Sequence, residues 1–270
     1  MAALNQPIDH ATATTFVEVV RRMLGPGPDD AALVMPSESL SHLLVDPAVA
    51  FVEARGGVVL RGAPARVIVG ERGAIGVDVR GRVISAPHVV SSVPWHAVAA
   101  LFHDVPALLA PIVRRASAMQ SAPIVTVNLW FDRAVLEAPF VGLPGRAFQW
   151  VFDKRLVSPG QASHLSLVCS GADEIVGLEN DAIVARAVAE FSAAVPAATR
   201  ARLVRATAVR ERRATFSLAA GEPARPAPVT PLPGFLLAGD WTDTGLPATI
   251  ESAVVSGHRA ARAILGGGHA

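Results

Sequence analysis

Tyrosine is absent from the 270 residues, and lysine and cysteine occur once each, as Lys154 and Cys169. A single cysteine excludes a disulfide within the chain and any zinc site built on paired thiolates. Its neighbours Leu165-Ser166-Leu167-Val168 are mostly apolar, so Cys169 reads as a packed core thiol. Without tyrosine there can be no binding cage of tyrosine rings. The positive charge is almost all arginine, which we read as coding bias rather than function. Neither sign of charge prevails: 24 basic against 23 acidic side chains leave a net +1, which argues against a nucleic-acid partner. A run of about eighteen apolar residues, enough for a membrane span, is also missing. The nearest stretch, His88 to Val113, is broken by Pro94, His103, Asp104, Pro106 and Pro111. No charged segment followed by an apolar one opens the chain, so a secretory signal is not expected and a cytoplasmic location is.

What is present is apolar and mixed in period. Half the residues are hydrophobic, enough for a full core in one large domain or two interleaved ones. Phe16, Val19, Val20 and Met23 predict a helix over 14–24, stopped by Gly25-Pro26-Gly27-Pro28. Short helices are expected over 37–44, capped by Ser37, and over 47–55, closed by Gly56-Gly57. The pattern then turns to strands at 58–61, 65–69, 75–79 and 82–85, with Glu71-Arg72-Gly73 as a turn. A strand over 89–93 is followed by a helix that Pro94 starts. Alternation over 124–131 predicts a half-buried strand, with 148–152 and 164–169 as its sheet partners. A helix is expected over 181–195, an arginine-studded edge strand over 203–216, and a proline-rich connection over 219–233. Repeats are absent. The fold class is α/β with α+β character, a core into which a second mixed region is inserted.

The most chemical segment lies near the C-terminus. Phe235-Leu236-Leu237-Ala238 reads as a buried strand, Gly239-Asp240-Trp241-Thr242-Asp243-Thr244-Gly245 as an acidic turn, and Leu246-Pro247-Ala248-Thr249 as the start of a helix to about Ile264. Ile250, Ala253, Val254, Gly257, Ala261 and Ile264 make its apolar face, with Ala253, Gly257 and Ala261 small enough for close approach. The helix N-terminus offers unpaired N–H groups and partial positive charge to an anionic or carbonyl-bearing ring edge. Asp240 can accept hydrogen bonds from sugar-like hydroxyls. The bland alternative is an ordinary strand–turn–helix in which Asp240 and Thr244 merely cap turns. Asp243 is assigned to turn capping and Glu251 to first-turn electrostatics.

Other constellations carry less. His96 and His103 are seven apart, but no third ligand accompanies them or His88, so no metal site is expected. Ser92, Ser121 and Ser170 lie in no nucleophile elbow. Trp130, Phe131, Phe148, Trp150 and Phe152 make an aromatic-rich sheet, as core packing or as the lining of an apolar substrate tunnel.

The segment Ala238-Gly239-Asp240 … Leu246-Pro247-Ala248-Thr249-Ile250-Glu251-Ser252-Ala253 … Ser256-Gly257 resembles the C-terminal flavin signature of the flavin-containing amine oxidase and phytoene desaturase superfamily. Within it, the chain is similar to the squalene-associated FAD-dependent desaturases, the hydroxysqualene dehydroxylase family. The stretches 123–133, 139–143 and 148–154 resemble that family's substrate-domain strands, and the likeness runs from Ala3-Leu4-Asn5 onward. The resemblance implies FAD as cofactor. Gly239 and Asp240 would serve its ribityl or pyrophosphate region, and the amides of Thr249, Ile250 and Glu251 its pyrimidine edge. The segment from Gly56-Gly57 to Ala65 would pair its backbone with adenine. The family often has glycine at Ser252 and valine at Ala65. No catalytic residue is assigned.

It further implies an incomplete FAD-binding Rossmann-like domain interleaved with a mixed-sheet substrate domain. The expected segments are substrate-domain helices at 1–46, FAD-domain segment at 47–95, substrate domain at 96–232 and the C-terminal FAD-domain strand and helix at 233–270. The implied reaction is reductive dehydroxylation of hydroxysqualene to squalene in hopanoid metabolism. The implied substrate is an apolar isoprenoid, collected by peripheral contact with the inner membrane face. The alternatives are an inert fragment or subunit that needs a partner chain, or a carotenoid desaturase or amine oxidase-like enzyme. Such flavoproteins open with a strand, a GxGxxG turn and a helix. Gly25-Pro26-Gly27-Pro28-Asp29 does not match that turn, and Gly266-Gly267-Gly268 reads as a flexible end. Relative to the family the chain is expected to be truncated, matching its C-terminal two-thirds. A separate polypeptide supplies the missing unit, or the reading frame starts late, or the product is a remnant.

Overall fold

A computed structural model describes residues 4–7, 9–25, 27, 29–157, 160 and 162–266. Pro26 and Pro28 of the expected helix stop, Gly267 and Gly268 of the glycine run, and Ala3 lie outside them. Contacts divide the chain into two compact, interleaved units. One comprises Met1–Ile8, Pro26–Val59 and Ser121–Thr215; the other comprises Asp9–Gly25, Leu60–Gln120 and Phe216–Ala270.

The first unit is built on β5 (Ser121–Phe131), β6 (Phe140–Gly142), β7 (Trp150–Asp153), β8 (Leu165–Ser170) and β9 (Leu203–Phe216), in the order β6-β7-β8-β5-β9. The pairs β6/β7, β7/β8 and β5/β8 are antiparallel, with Val127 opposite Leu167 and Val151 opposite the same residue. Strict alternation gives the sheet two unlike faces. Val125, Val127, Leu129, Val151, Leu165 and Leu167 have no exposed surface. They form one core with Ile183, Ala187 and Phe191 of α4 (Asn180–Ala194), which are spaced four apart on one helical face. Cys169 belongs to this core, as its apolar surroundings indicate. Thr126, Asn128, Trp130, Trp150, Phe152 and Val168 point the other way and are half-buried. Asn5 ties the N-terminal segment to the sheet, donating to the Ala122 carbonyl at 3.0 Å and accepting from the Gly171 amide at 2.7 Å. β9 stands at the sheet edge, where its arginines are compatible with solvent.

The structure departs from expectation in three places. The helices expected over 37–44 and 47–55 form one run, a π-helical turn at Ser41–Val45 continuing into α2 (Asp46–Glu53). Pro47 sits just past the junction of the π turn and α2, and the run continues through it. No strand forms over 58–61: Val58 and Leu60 are largely exposed, and ladder pairing begins only at Ala65, opposite Val79. The helix α3 (Ala110–Ala118) is unanticipated because Pro111 reads as a breaker but sits in that helix's first turn.

The second unit contains a three-stranded antiparallel sheet of β1 (Ala65–Gly70), β2 (Gly73–Val79) and β3 (Arg82–Ser85). It also holds a parallel pair, β4 (Val89–Ser91) with β10 (Phe235–Leu237). The amphipathic α1 (Ala13–Met23), α3 and α5 (Ile250–Gly266) complete it. Pro94 leads into a 3-10 helix, Trp95–Leu101, that places Trp95 edge-on to Phe216 and is followed by Phe102, edge-on to Phe235. None of the described helices is long and apolar enough to cross a membrane.

Candidate functional site

β10 is buried at all three residues and runs parallel to β4, so both strands point their carboxyl ends the same way. In open α/β sheets that end is where ligands bind. Beyond it the chain turns at Gly239, whose φ of +122° suits glycine and where a Cβ would lie 3.0 Å from the Trp241 ring. Trp241 is wholly buried and donates from Nε1 to the Val93 carbonyl at 2.9 Å, anchoring the turn beside β4.

Hydroxyl groups hold the turn against α5. The Leu246 amide donates to Thr244 Oγ1, Thr244 Oγ1 lies 2.6 Å from Ser252 Oγ, and Ser252 Oγ donates to the Asp240 carbonyl at 2.9 Å. Nearby, the Gly239 amide donates to Ser256 Oγ at 2.7 Å. Ser252 and Ser256 have no exposed surface, and with Ala260 they form the buried face of α5. The expected apolar face is therefore corrected: Ile250, Val254, Gly257 and Ala261 are exposed. A purely apolar stripe could not satisfy the buried backbone groups of the turn, whereas serines can.

The helix also starts later than the sequence suggests, at Ile250 rather than at Leu246-Pro247. Thr249 is the capping residue, its Oγ1 accepting from the Ser252 amide at 3.1 Å and its carbonyl from the Ala253 amide at 3.1 Å. That leaves the amides of Ile250 and Glu251 without intrahelical acceptors. Thr249, Ile250 and Glu251 are all exposed, so the mouth of the helix is open rather than plugged. Glu251 makes only a 3.8 Å ion pair with Arg22 of α1, in solvent.

Asp240 is half-buried at the start of the turn. Burial pushes its carboxyl above the usual range, opposed by hydrogen bonds from the Trp241 amide and its own and by the charge of Arg225. Gly239, Asp240, Thr249, Ile250 and Glu251 thus come together in one strand–turn–helix. Ala65 does not join them; it is exposed at the first residue of β1, opposite Val79. Arg225, Ser252 and Ser256 are structural partners that sequence reasoning passes over. The serines carry a signal, their four-residue spacing on the helix. Arg225 carries none within its proline-rich run.

A separate feature lies on the half-buried sheet face of the first unit. Phe140, Trp150 and Phe152 cluster with ring centroids 5.9 to 6.4 Å apart. With Leu33, Val34 and Met35 they line an almost wholly apolar groove of about 180 Å³. Phe131 and Phe148, by contrast, are core residues.

Residues 25–265 match the family model of the flavin containing amine oxidoreductases. The chain is similar over its whole length to the hydroxysqualene dehydroxylase of Rhodopseudomonas palustris, at 35% identity, and covers 62% of that protein. It is 27% identical to the 15-cis-phytoene desaturase of Synechococcus elongatus, over 82% of this chain and 50% of the relative. Among solved structures, a putrescine oxidase bound to putrescine shares the fold with a TM-score of 0.64 at 18% identity, over 83% of this chain and 53% of that one. The chain thus spans roughly half to three-fifths of the length of these relatives. Matched across nearly all of its residues, the chain belongs to the flavin-containing amine oxidoreductase family, whose cofactor is FAD.

Proposed function

We propose that this chain carries the C-terminal flavin contacts and the substrate sheet of an FAD-dependent oxidoreductase that reductively dehydroxylates hydroxysqualene to squalene, in hopanoid metabolism. The observation that carries this reading is the open first turn of α5 beside a half-buried Asp240. Those residues fit a flavin. Exposed amides suit an electron-rich ring edge, and a carboxylate suits sugar-like hydroxyls. When bound, reduced flavin would supply a hydride to the allylic carbon as the hydroxyl leaves with a proton as water. The chain's own residues bind and orient. Asp240 would accept from the ribityl or pyrophosphate region, with Gly239 allowing close approach. The Ile250 and Glu251 amides, in the turn capped by Thr249, would stabilise negative charge on the pyrimidine edge. Ala65, at the exposed start of β1, would offer its backbone to adenine. The groove of Phe140, Trp150 and Phe152 would hold part of an apolar isoprenoid chain.

The greater identity to the dehydroxylase than to the desaturase supports the reductive reaction over desaturation. A GxGxxG-bearing βαβ segment, absent from these 270 residues, would complete the nucleotide site from another segment or chain. Contact with a membrane surface would deliver the substrate. The test is to purify the chain with and without such a co-expressed segment. Flavin absorbance together with conversion of hydroxysqualene under reducing conditions is expected from the pair. Flavin without conversion would remove the substrate assignment, and a colourless pair would remove the flavin role. Flotation with liposomes checks the membrane contact, and no co-flotation would exclude it.

A further inference from the structure

The connection between β9 and β10 brings one arginine against the outside of the flavin-signature turn. Arg225 has only 15% of its side chain exposed. Its guanidinium lies over the Phe216 ring, 5.1 Å from the centroid. Nη1 donates to the Leu246 carbonyl at 2.7 Å, and Nη2 lies 4.0 Å from Asp243 Oδ1. The next residue completes the grip, because the Asp243 amide donates to the Pro226 carbonyl at 2.9 Å. Leu246 stands three residues before the cap Thr249, so a clamp there sets how the chain enters α5.

A guanidinium this buried is costly unless charge compensates it, and its ion pair with Asp243 is long. Burial lowers the Arg225 pKa, and the compensating charges are Asp243 and Asp240. Arginine keeps its proton under such pressure where lysine yields it, and its planar fork can serve a carbonyl and a carboxylate at once. The other charged groups around the turn are Arg259 of α5, which donates to the Asp243 carbonyl, and Glu251, turned toward Arg22.

We propose that Arg225 is the positioning residue of the cofactor turn: it fixes Leu246, and through it the mouth of α5. Its purpose rests on the flavin reading above, but its action on the turn is measurable without flavin. The cation opposes the burial that raises the Asp240 pKa, so removing it makes that carboxyl harder to ionise.

The experiment uses the 270-residue chain and two variants, Arg225→Met and Arg225→Lys. Hydrogen exchange is followed at the Thr242, Asp243 and Leu246 amides, and the Asp240 carboxyl is titrated by carbon NMR. Arg225→Met should speed exchange at these amides about tenfold over wild type. It should also move the Asp240 midpoint upward. Exchange in β5 and β8 should not change, which separates a loosened turn from a lost fold. Arg225→Lys should restore most of the midpoint but not the protection at Leu246. Unchanged exchange and midpoint in both variants would overturn the proposal, as would full rescue of both by lysine. FAD titration, with the GxGxxG segment supplied, separates the two ideas. If the turn responds as expected but wild type takes up no FAD, the clamp stands and the flavin reading falls. If wild type takes up FAD while the turn does not respond, the clamp falls alone.

Discussion

In the five-stranded sheet of the first unit, the inward positions of β5, β7 and β8 are mostly valine and leucine, with Phe131 and Cys169, packed on Ile183, Ala187 and Phe191. In α5 of the second unit, two of the three buried inward positions are Ser252 and Ser256, each hydrogen-bonded to the turn it faces. The first arrangement gains stability from apolar area and would tolerate no ligand within it. The second gives up apolar area to fix the backbone of Gly239 and Asp240. The contrast separates a core held by apolar packing from a turn held by buried hydroxyl hydrogen bonds.

The largest effect should come from the first region. Phe191→Ala removes a fully buried ring from the sheet core and should destabilise the chain by about 3–5 kcal/mol in denaturant unfolding. A loss below 1 kcal/mol would mean that this core is not what holds the unit together. Next is Ser252→Ala, which leaves the Asp240 carbonyl without its donor and should cost about 1–3 kcal/mol. If it instead stabilised the chain, the serine face of α5 would be incidental.

A third substitution reverses the sign. Asp240 holds its proton more tightly in the folded chain than in the unfolded one, because burial raises its pKa. Its contribution to stability is therefore present at low pH and is lost as pH rises from the ordinary carboxylate range through the raised value. Asp240→Asn should abolish that slope and slightly stabilise the ligand-free chain at neutral pH, while weakening FAD binding about tenfold or more. An unaltered pH–stability profile would contradict this. Smallest of all is Glu18→Gln on α1. Arg21 and Arg22 hold the Glu18 carboxyl down at about 2, but the pairs lie at the surface, with both arginines exposed. Its loss should leave the unfolding midpoint unchanged within error, and a clear drop would show that α1 matters more than its lack of buried residues indicates.

How much of this the sequence disclosed depends on whether the signal is local. Alternation along β5 and the four-residue spacing in α4 report directly on burial, so sheet and helix are legible from one strand or helix at a time. The turn residues Gly239 and Asp240 were legible because a buried strand ends in an acidic glycine turn. The true start of α5 was not, since Pro247 suits a first turn as well as the turn before it, and only the Thr249 side chain decides. The buried face of α5 was misjudged because hydropathy favours Ile250 and Val254 over serine. Arg225 was invisible, because its meaning comes from Phe216 and Leu246, which the fold rather than the sequence makes its neighbours.

The turn from Gly239 to Glu251 is the flavin site we propose. Equilibrium titration of FAD into the chain, with the GxGxxG segment supplied and Asp240→Ala in parallel, tests it most directly. Saturable binding by wild type, with affinity reduced about tenfold or more in the variant, is the predicted result. Equal affinity in the two proteins, or no binding by wild type, would contradict it.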